Sequence, residues 1–293
     1  SIMKEKIIIL TPVYNDWKNL TKLLAKINII FKKTIKMKFD LIIVNDCSTE
    51  NFNYQKLKLK KINKIILINL ATNVGSQRAL AIGLKHIDKN YKKNYKTIII
   101  DSDGQDNPNG IIKMFEISKK KPKYSIVVNR GQRKESLWFK FCYEFYNVLI
   151  KLFAAKKLRF GNYSLLNFKH VKVISSKADL WSAFPPTIAK NIKKISFITI
   201  DREKRFSGES KMNFFGLLFH AFRVFSVLRY RIIISSIIYL LLGFVLFGDS
   251  EYVILFYLIS TLIFLFNLGN FIMSFSNKFN FMNDSKKAKV SYY

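Results

Sequence analysis

Short apolar runs alternate with longer segments whose apolar residues recur at helical spacing, and this alternation fills the first two thirds of the chain. Lys6–Leu10 (KIIIL) has the pattern of a buried strand and is stopped by Thr11-Pro12. Phe39–Asn45 (FDLIIVN), Lys64–Asn69 (KIILIN), Lys96–Asp101 (KTIIID) and Tyr124–Asn129 (YSIVVN) repeat it. Between them Trp17–Phe31, with Asn15 or Asp16 as its N-cap, Ser76–Ile87 and Pro108–Lys119 read as helices. Leu137–Phe153 predicts an aromatic-rich helix and Ile195–Ile200 a further strand. Strands this apolar, separated by helices, imply an α/β domain with a mostly parallel sheet covered on both faces.

The pattern changes after residue 212. Asn213–Arg231 is helical, with Phe and Leu on one side and Arg223, Arg229 and Arg231 toward its end. That is the composition of an amphipathic helix at a membrane interface; a domain helix packed on the sheet is the alternative. Ile232–Phe247 and Tyr252–Phe275 are almost wholly apolar and are joined by Gly248-Asp249-Ser250-Glu251. A crossing helix needs about 20 residues. The second run is long enough and the first is short, so a re-entrant hairpin stands beside a transmembrane one. Lys278, Lys286, Lys287 and Lys289 follow. Basic residues on both sides of the hairpin assign domain and tail to the cytoplasm and the acidic turn to the far side. The organisation expected is an α/β domain over 1–212, an interfacial helix over 213–231, a transmembrane hairpin over 232–276 and a basic, flexible tail over 277–293. Asn267, Gly269 and Asn270, inside the second span, are candidates for helix association and homo-oligomers.

Charge narrows the partners. The formal net charge is +31, yet only nine of the 50 basic residues are arginine: Arg78, Arg130, Arg133, Arg159, Arg202, Arg205, Arg223, Arg229 and Arg231. A bias toward Lys, Ile, Asn and Phe raises the pI without assigning a function. A basic chain favours nucleic acid or acidic headgroups. The apolar hairpin decides for the lipid bilayer, and the chain lacks an aromatic RNP-type strand, zinc spacing or a basic recognition helix, so no nucleic acid is expected. Cys47 and Cys142 make no metal pattern, and the N-terminus enters a strand without a cleavable leader, which fits a reducing compartment. His86, His170 and His220 have no partner at ligand spacing and read as structural. Phe139, Phe141, Tyr143, Phe145 and Tyr146 read as core or membrane-facing aromatics.

Ligands of a parallel α/β sheet bind at the carboxyl ends of its strands. Those ends carry Thr11-Pro12-Val13-Tyr14-Asn15, Asn45-Asp46-Cys47-Ser48-Thr49 and Asp101-Ser102-Asp103-Gly104-Gln105-Asp106. The Asp101-x-Asp103 (DXD) pair is the sharpest feature. Two carboxylates just past a buried strand suit Mg²⁺ or Mn²⁺, which prefer oxygen ligands and share them with substrate phosphates.

With TPVYND (Thr11–Asp16), VNDCSTEN (Val44–Asn51), NLATNVGSQRALAIGL (Asn69–Leu84), DSDGQD (Asp101–Asp106) and RFSGESKM (Arg205–Met212) in this order, the chain resembles the GT-A-fold family 2 glycosyltransferases. Within them it is similar to the dolichol- and polyprenyl-phosphate sugar transferases. The resemblance implies that Thr11, Pro12, Tyr14 and Asp46 line the pocket of a UDP- or GDP-sugar, with Asp46 on base or ribose. It implies Asn73, Gly75 and Arg78 beside base and diphosphate, Asp101 and Asp103 on ribose and metal, and Gln105 toward the sugar. Arg205, Ser210 and Lys211 would approach the phosphates from a loop, and Arg130 and Arg133 an acceptor phosphate. The reaction implied is metal-dependent, inverting transfer to a polyprenyl phosphate at the cytoplasmic face of a bacterial inner membrane, in cell-envelope glycan biosynthesis.

Alternatives stay open on the residues themselves. Asp46 would also serve as a helix cap, Arg130 and Arg133 as surface charges, and Arg205 and Lys211 as part of a solvated loop. A glycan hydroxyl acceptor would need a base, for which Asp106 is the nearest candidate. An inactive scaffold is a further alternative, against which the intact DSDGQD and RFSGESKM weigh. Three departures from the family pattern stand out: Asn45 where a second Asp is frequent, Cys47 for a usual Gly, and Phe160-Gly161-Asn162-Tyr163-Ser164, which bears on the acceptor.

Overall fold

The structure is a computed structural model that describes residues 5–53, 57, 59–130, 144, 148–153, 160–207, 214–284 and 288–292. Its first half follows the expected alternation: β1 (Lys6–Val13), α1 (Trp17–Ile30), β2 (Phe39–Asn45), β3 (Ile62–Asn69), α2 (Ser76–Asn90), β4 (Tyr95–Ile99), α3 (Gly110–Lys120) and β5 (Ser125–Arg130). Then come β6 (Phe160–Asn167), α4 (Phe168–Ser175), a 3-10 turn (Ala178–Trp181), α5 (Phe184–Asn191) and β7 (Ile195–Ile200). The remaining elements are α6 (Phe214–Val227), α7 (Arg229–Phe247), α8 (Val253–Asp284) and β8 (Lys289–Tyr292).

Among the described residues eight strands form one sheet in the order β7-β5-β6-β4-β1-β2-β3-β8. The β4-β1-β2-β3 run is parallel, and β5 pairs parallel with β7. β6 is reversed between β4 and β5. The carboxyl ends of β1 to β5 and β7 therefore share one rim, together with the amino end of β6. Successive side chains of a strand point to opposite faces. Ile8, Leu10, Ile42, Val44, Ile66 and Ile68 accordingly pack under α2, the 3-10 turn and α5. Ile7, Ile9, Leu41, Ile43 and Leu67 pack under α1 and α3.

Three expectations change. Residues 213–231 do not form one helix. The chain turns at Leu228 (φ −96°, ψ 9°), and the first apolar helix begins at Arg229. Cations take the carbonyls released at the end of α6: Lys190 Nζ donates to Val227 O (3.0 Å) and Arg229 Nη1 to Ser226 O (3.0 Å). Both also bind the Asp179 carboxylate, at 2.6 and 3.0 Å. Val224, Phe225, Val227 and Leu228 enter the core, while Leu218 and Phe219 stay exposed, so among the described side chains of α6 the exposed apolar ones stand in its first half. Second, the tail expected to be flexible supplies β8, antiparallel to β3 with Lys289 opposite Asn69 and Tyr292 opposite Ile66. Third, β6 was not expected as a strand, because GNYS interrupts its apolar pattern. Most of the helix expected over 137–153 lies outside the described residues; residues 148–153 are helical.

Arg229–Phe247 and Val253–Phe275 are long and apolar enough to cross a membrane, and most of their side chains are exposed. Asn267 Nδ2 donates to Ser236 Oγ (2.9 Å), so this candidate for association holds the hairpin's own helices together. Phe266 seats the hairpin against Phe153, Phe222 and Phe225, and Tyr239 donates to Leu152 O (2.6 Å).

Deleting β8 by ending the chain at Asp284 removes the partner of β3, about 1 kcal/mol per backbone hydrogen bond. Amides of Ile66–Asn69 should then exchange with solvent several-fold faster, while those of Ile7–Leu10 keep their protection. Unchanged exchange at Ile66–Asn69 would mean that β8 does not pair in solution.

Candidate active site

The rim is assembled by polar side chains that bind backbone. At the end of β1 Asn15 adopts φ +47°, and its Oδ1 accepts from Thr49 N (2.8 Å) and Glu50 N (3.3 Å). Asn15 N donates to Ser48 Oγ (2.9 Å). Asn45 Oδ1 accepts from Ser48 N (3.0 Å), and Asn45 Nδ2 donates to Asn69 Oδ1 (2.8 Å). The β1, β2 and β3 ends are thus tied side by side. Asn45 performs this tie with an amide, both donor and acceptor, which a carboxylate could not do. Cys47 stands at φ +60°, in the left-handed region where glycine is at ease. The chain keeps the turn despite the departure.

Asp46 is 2% exposed, and its two oxygens accept from Val74 N (2.7 Å) and Gly75 N (2.9 Å). Burial raises its pKa, opposed by these two N–H donors and by Arg78. The carboxylate holds the loop before α2 together with the backbone of that helix's N-cap residue. Gly75 has φ +87° at the N-cap of α2, and Arg78 follows in the first turn with its guanidinium 5.4 Å from the Trp181 ring.

In the β4–α3 loop, Asp103 Oδ1 accepts from Gln105 N (2.9 Å) and Asp101 Oδ1 from Asn162 Nδ2 (3.1 Å). Asp106, 8% exposed, turns inward, and its Oδ2 accepts from Asp101 N (3.4 Å). Beside it Tyr163 donates to Asn107 O (2.9 Å), and burial together with Asp106 raises its pKa well above the ordinary value.

Residues 201–207 lie across this loop as a strap. Glu203 N donates to Gln105 O (2.9 Å), and Phe206 N approaches Asp103 O (3.4 Å). The Phe206 ring covers Gly104, where an added Cβ would meet it at 2.3 Å and where φ is +78°. Arg205 Nη2 donates to Asp16 Oδ2 (2.7 Å), with Nη1 3.9 Å from Asp103 Oδ2. Asn19 donates to Asp16 Oδ1 (2.7 Å) and accepts from Ser207 Oγ (2.6 Å). The β1 and β4 carboxylates thereby share one guanidinium.

The structure brings Tyr14, Asp46, Asn73, Gly75, Arg78, Asp101, Asp103, Gln105 and Arg205 to the one rim. Thr11 and Pro12 differ: they are buried within β1 and present almost no surface to a ligand, and the rim is reached by Tyr14 and Asn15. Arg130 closes β5 at this rim. Arg133, Ser210 and Lys211 lie outside the described residues. Asp16, Asn19, Gln77 and Asn162 were missed. Asp16 and Asn19 read as helix start, and the roles of Gln77 and Asn162 were hidden because their partners lie 61, 85 and 107 residues away. His170 is structural as expected: its Nδ1 bonds Ser125 Oγ (2.7 Å), and burial and Lys194 lower its pKa.

A mostly parallel sheet with β6 reversed inside it and β8 antiparallel at its edge, together with an acidic loop at the carboxyl end of β4, has the form of a GT-A-type transferase domain. Mannosyl-3-phosphoglycerate synthase from Rubrobacter xylanophilus shares this fold at a TM-score of 0.54 and 9% identity, covering 79% of this chain and 75% of that one. Glucosyl-3-phosphoglycerate synthase from Mycobacterium tuberculosis, solved with Mn²⁺, UDP and glucosyl-3-phosphoglycerate, shares it at 0.51 and 11% identity, covering 78% of this chain and 80% of that one. The chain belongs to glycosyl transferase family 2, whose model matches residues 8–176. It is a nucleotide-sugar glycosyltransferase. In sequence it is similar to the uncharacterized glycosyltransferase sll0501 of Synechocystis sp., 28% identical over 220 residues, which are 73% of this chain and 67% of that protein.

Gly104→Ala places a methyl group against Phe206 in a backbone conformation that costs a non-glycine residue about 1–3 kcal/mol. The strap should lift, seen as faster tryptic cleavage after Lys204 and Arg205 with the rest of the sheet intact. Cleavage at the wild-type rate would mean that Phe206 does not hold the strap.

Proposed function

We propose that the protein transfers a sugar from a UDP- or GDP-sugar to a polyprenyl phosphate at the cytoplasmic face of a membrane, aided by Mg²⁺ or Mn²⁺. The observation that carries this reading is where the apolar hairpin meets the sheet. The chain leaves the rim through Ser207 into α6 and α7, and returns to it at Lys289, opposite the last residue of β3. Ser207 before the hairpin segment and Lys289 after it thus stand at the rim that carries Asp46, Asp101 and Asp103.

The residues fit a hard divalent cation on one condition. Among the described residues no group of three His, Cys, Asp or Glu side chains is set to hold a metal. Mg²⁺ and Mn²⁺ bind through one or two carboxylates plus substrate phosphates, so Asp101 and Asp103 suffice when a nucleotide diphosphate completes the shell. The metal would supply positive charge to a leaving diphosphate.

The chain's own groups do the rest. Arg205, already directed at Asp103 by Asp16, adds a guanidinium where diphosphate charge would develop. Asn73 and the Gly75–Arg78 turn offer a rim loop and a helix start for the nucleotide, braced from behind by Asp46. A phosphate acceptor is already an anion near neutral pH and needs positioning, not a base. Arg130, at the carboxyl end of β5, and Arg133 are its candidates. Asp106, the base a hydroxyl acceptor would call for, is turned into the protein and bonded to backbone, which favours the phosphate. By its family pattern the reaction inverts the anomeric centre.

The test is transfer by detergent-purified protein from UDP- and GDP-sugars with Mn²⁺ or Mg²⁺, with and without a polyprenyl phosphate. Lipid-linked sugar should form only with metal, and Asp103→Ala should lower turnover at least a hundredfold, the scale of a lost transition-state charge contact. Transfer to water or a glycan but not to lipid would reject the acceptor.

Topology is tested separately. With Cys47 and Cys142 replaced by Ala, Ser250→Cys in the acidic turn should react with an impermeant maleimide only from the side opposite the domain. Labelling from the domain's side would reject the crossing.

A further inference from the structure

We infer that Gln77 and Asn162 are positioning residues for Asp101, acting through a two-amide relay that starts at the backbone of α5. This rests on the proposed role of Asp101 at the donor and its metal. Phe184 N donates to Gln77 Oε1 (2.8 Å), Gln77 Nε2 to Asn162 Oδ1 (2.9 Å), and Asn162 Nδ2 to Asp101 Oδ1 (3.1 Å). Gln77 is 8% and Asn162 6% exposed, so water does not compete freely for these groups.

The relay has a fixed direction. The orientation of a side-chain amide follows from its hydrogen-bond network. Here one end is a backbone N–H, which can only donate, and the other is a carboxylate, which accepts when ionised. Each amide must receive on its oxygen and donate from its nitrogen, and reversing either sets like groups against each other. In a low-dielectric setting such bonds polarise one another in the same sense. Asp101 receives a directed donor at the end of the relay.

The relay is anchored on rigid ground. Phe184 opens α5, fully buried, and its N–H is among those a helix start leaves without an intrahelical partner. Just before it, the 3-10 turn holds Asp179, which clamps Lys190 and Arg229 at the junction of α6 and α7. The orientation of Asp101 is thus set by the segment on which the base of the hairpin is seated.

Gln77→Glu tests this at constant volume. Phe184 N keeps its acceptor, but the second oxygen of the introduced carboxylate can only accept. Asn162 must then turn its NH₂ toward that carboxylate and present its carbonyl to Asp101. Asn162→Ala removes the donor to Asp101 while leaving Gln77 on Phe184. The readout is Mn²⁺ titration of UDP and of GDP binding to full-length protein in detergent, with thermal melting alongside. A partner that orients a metal-bound carboxylate is worth about 10–100-fold in metal affinity. Both variants should raise the half-saturating Mn²⁺ by that factor. The double variant should lose no more than Asn162→Ala alone, because both act through one bond to Asp101. Unchanged half-saturation in either folded variant, or a lowered melting point alone, would overturn the relay. Wild-type protein that binds neither nucleotide with Mn²⁺ would overturn the functional reading, and the role of the relay with it.

Discussion

The rim depends on one buried charge. A carboxylate removed from water is costly unless its oxygens are filled by donors. Asp46 is almost wholly buried, and the donors it takes are the N–H groups of Val74 and Gly75. That requirement closes the loop after β3 onto the end of β2. It sets the entry of α2 through Gly75 at φ +87°, and aims the first turn of α2 so that Arg78 meets Trp181 and Gln77 meets Asn162. Burial raises the pKa of Asp46, and the N–H groups of Val74 and Gly75 and the nearby Arg78 oppose that shift. Asp101 then receives its orientation from the same helix start, and the carboxylates of two strands are organised from one place.

The strap solves a second electrostatic problem. Asp16 and Asp103 approach each other at the rim, where like charges repel. Arg205 stands between them, firmly on Asp16 at 2.7 Å and loosely on Asp103 at 3.9 Å. The unequal distances matter. A guanidinium held by Asp16 would keep its place if Asp103 took the metal proposed above, so metal and arginine need not exclude each other. Asn19 and Ser207 fix the Asp16 end, and Phe206 over Gly104 fixes the other.

Most of the fold could be read from the chain because continuous apolar strands and helical spacing seldom mislead in a parallel sheet. The acidic loop was legible for the same reason: carboxylates directly after a buried strand must lie on the rim. What could not be read depended on distant partners. β6 is polar at Asn162 and Ser164 because it lies under the site, so its pattern does not look like a strand. β8 has too few residues to show a period and forms because β3 offers an open edge. Asp16 looked like a cap, but makes no capping bond, since a strap nearly two hundred residues away claims its side chain. Thr11 and Pro12 looked like pocket residues from their motif, but they still belong to β1 and are buried in it.

The hairpin adds a constraint of length. Its helices are joined at Ser236 and Asn267 and gripped by the domain at Tyr239 and Phe266. At 1.5 Å per residue, residues 237–247 and 253–266 project about 17 and 21 Å beyond that level. A hydrocarbon core is about 30 Å thick. Asp249 and Glu251 at the tip would each cost roughly 2.5–3.5 kcal/mol if left at the bilayer centre. For the turn to reach the far headgroups, the foot of the domain must sink by about the difference, some 10 Å. Exposed apolar residues stand around that foot, namely Leu218 and Phe219 on α6, Val148 and Leu152 beside it, and Ile234 on α7. Their exposure is unfavourable in water, and on the membrane reading proposed above it is what such a depth would require.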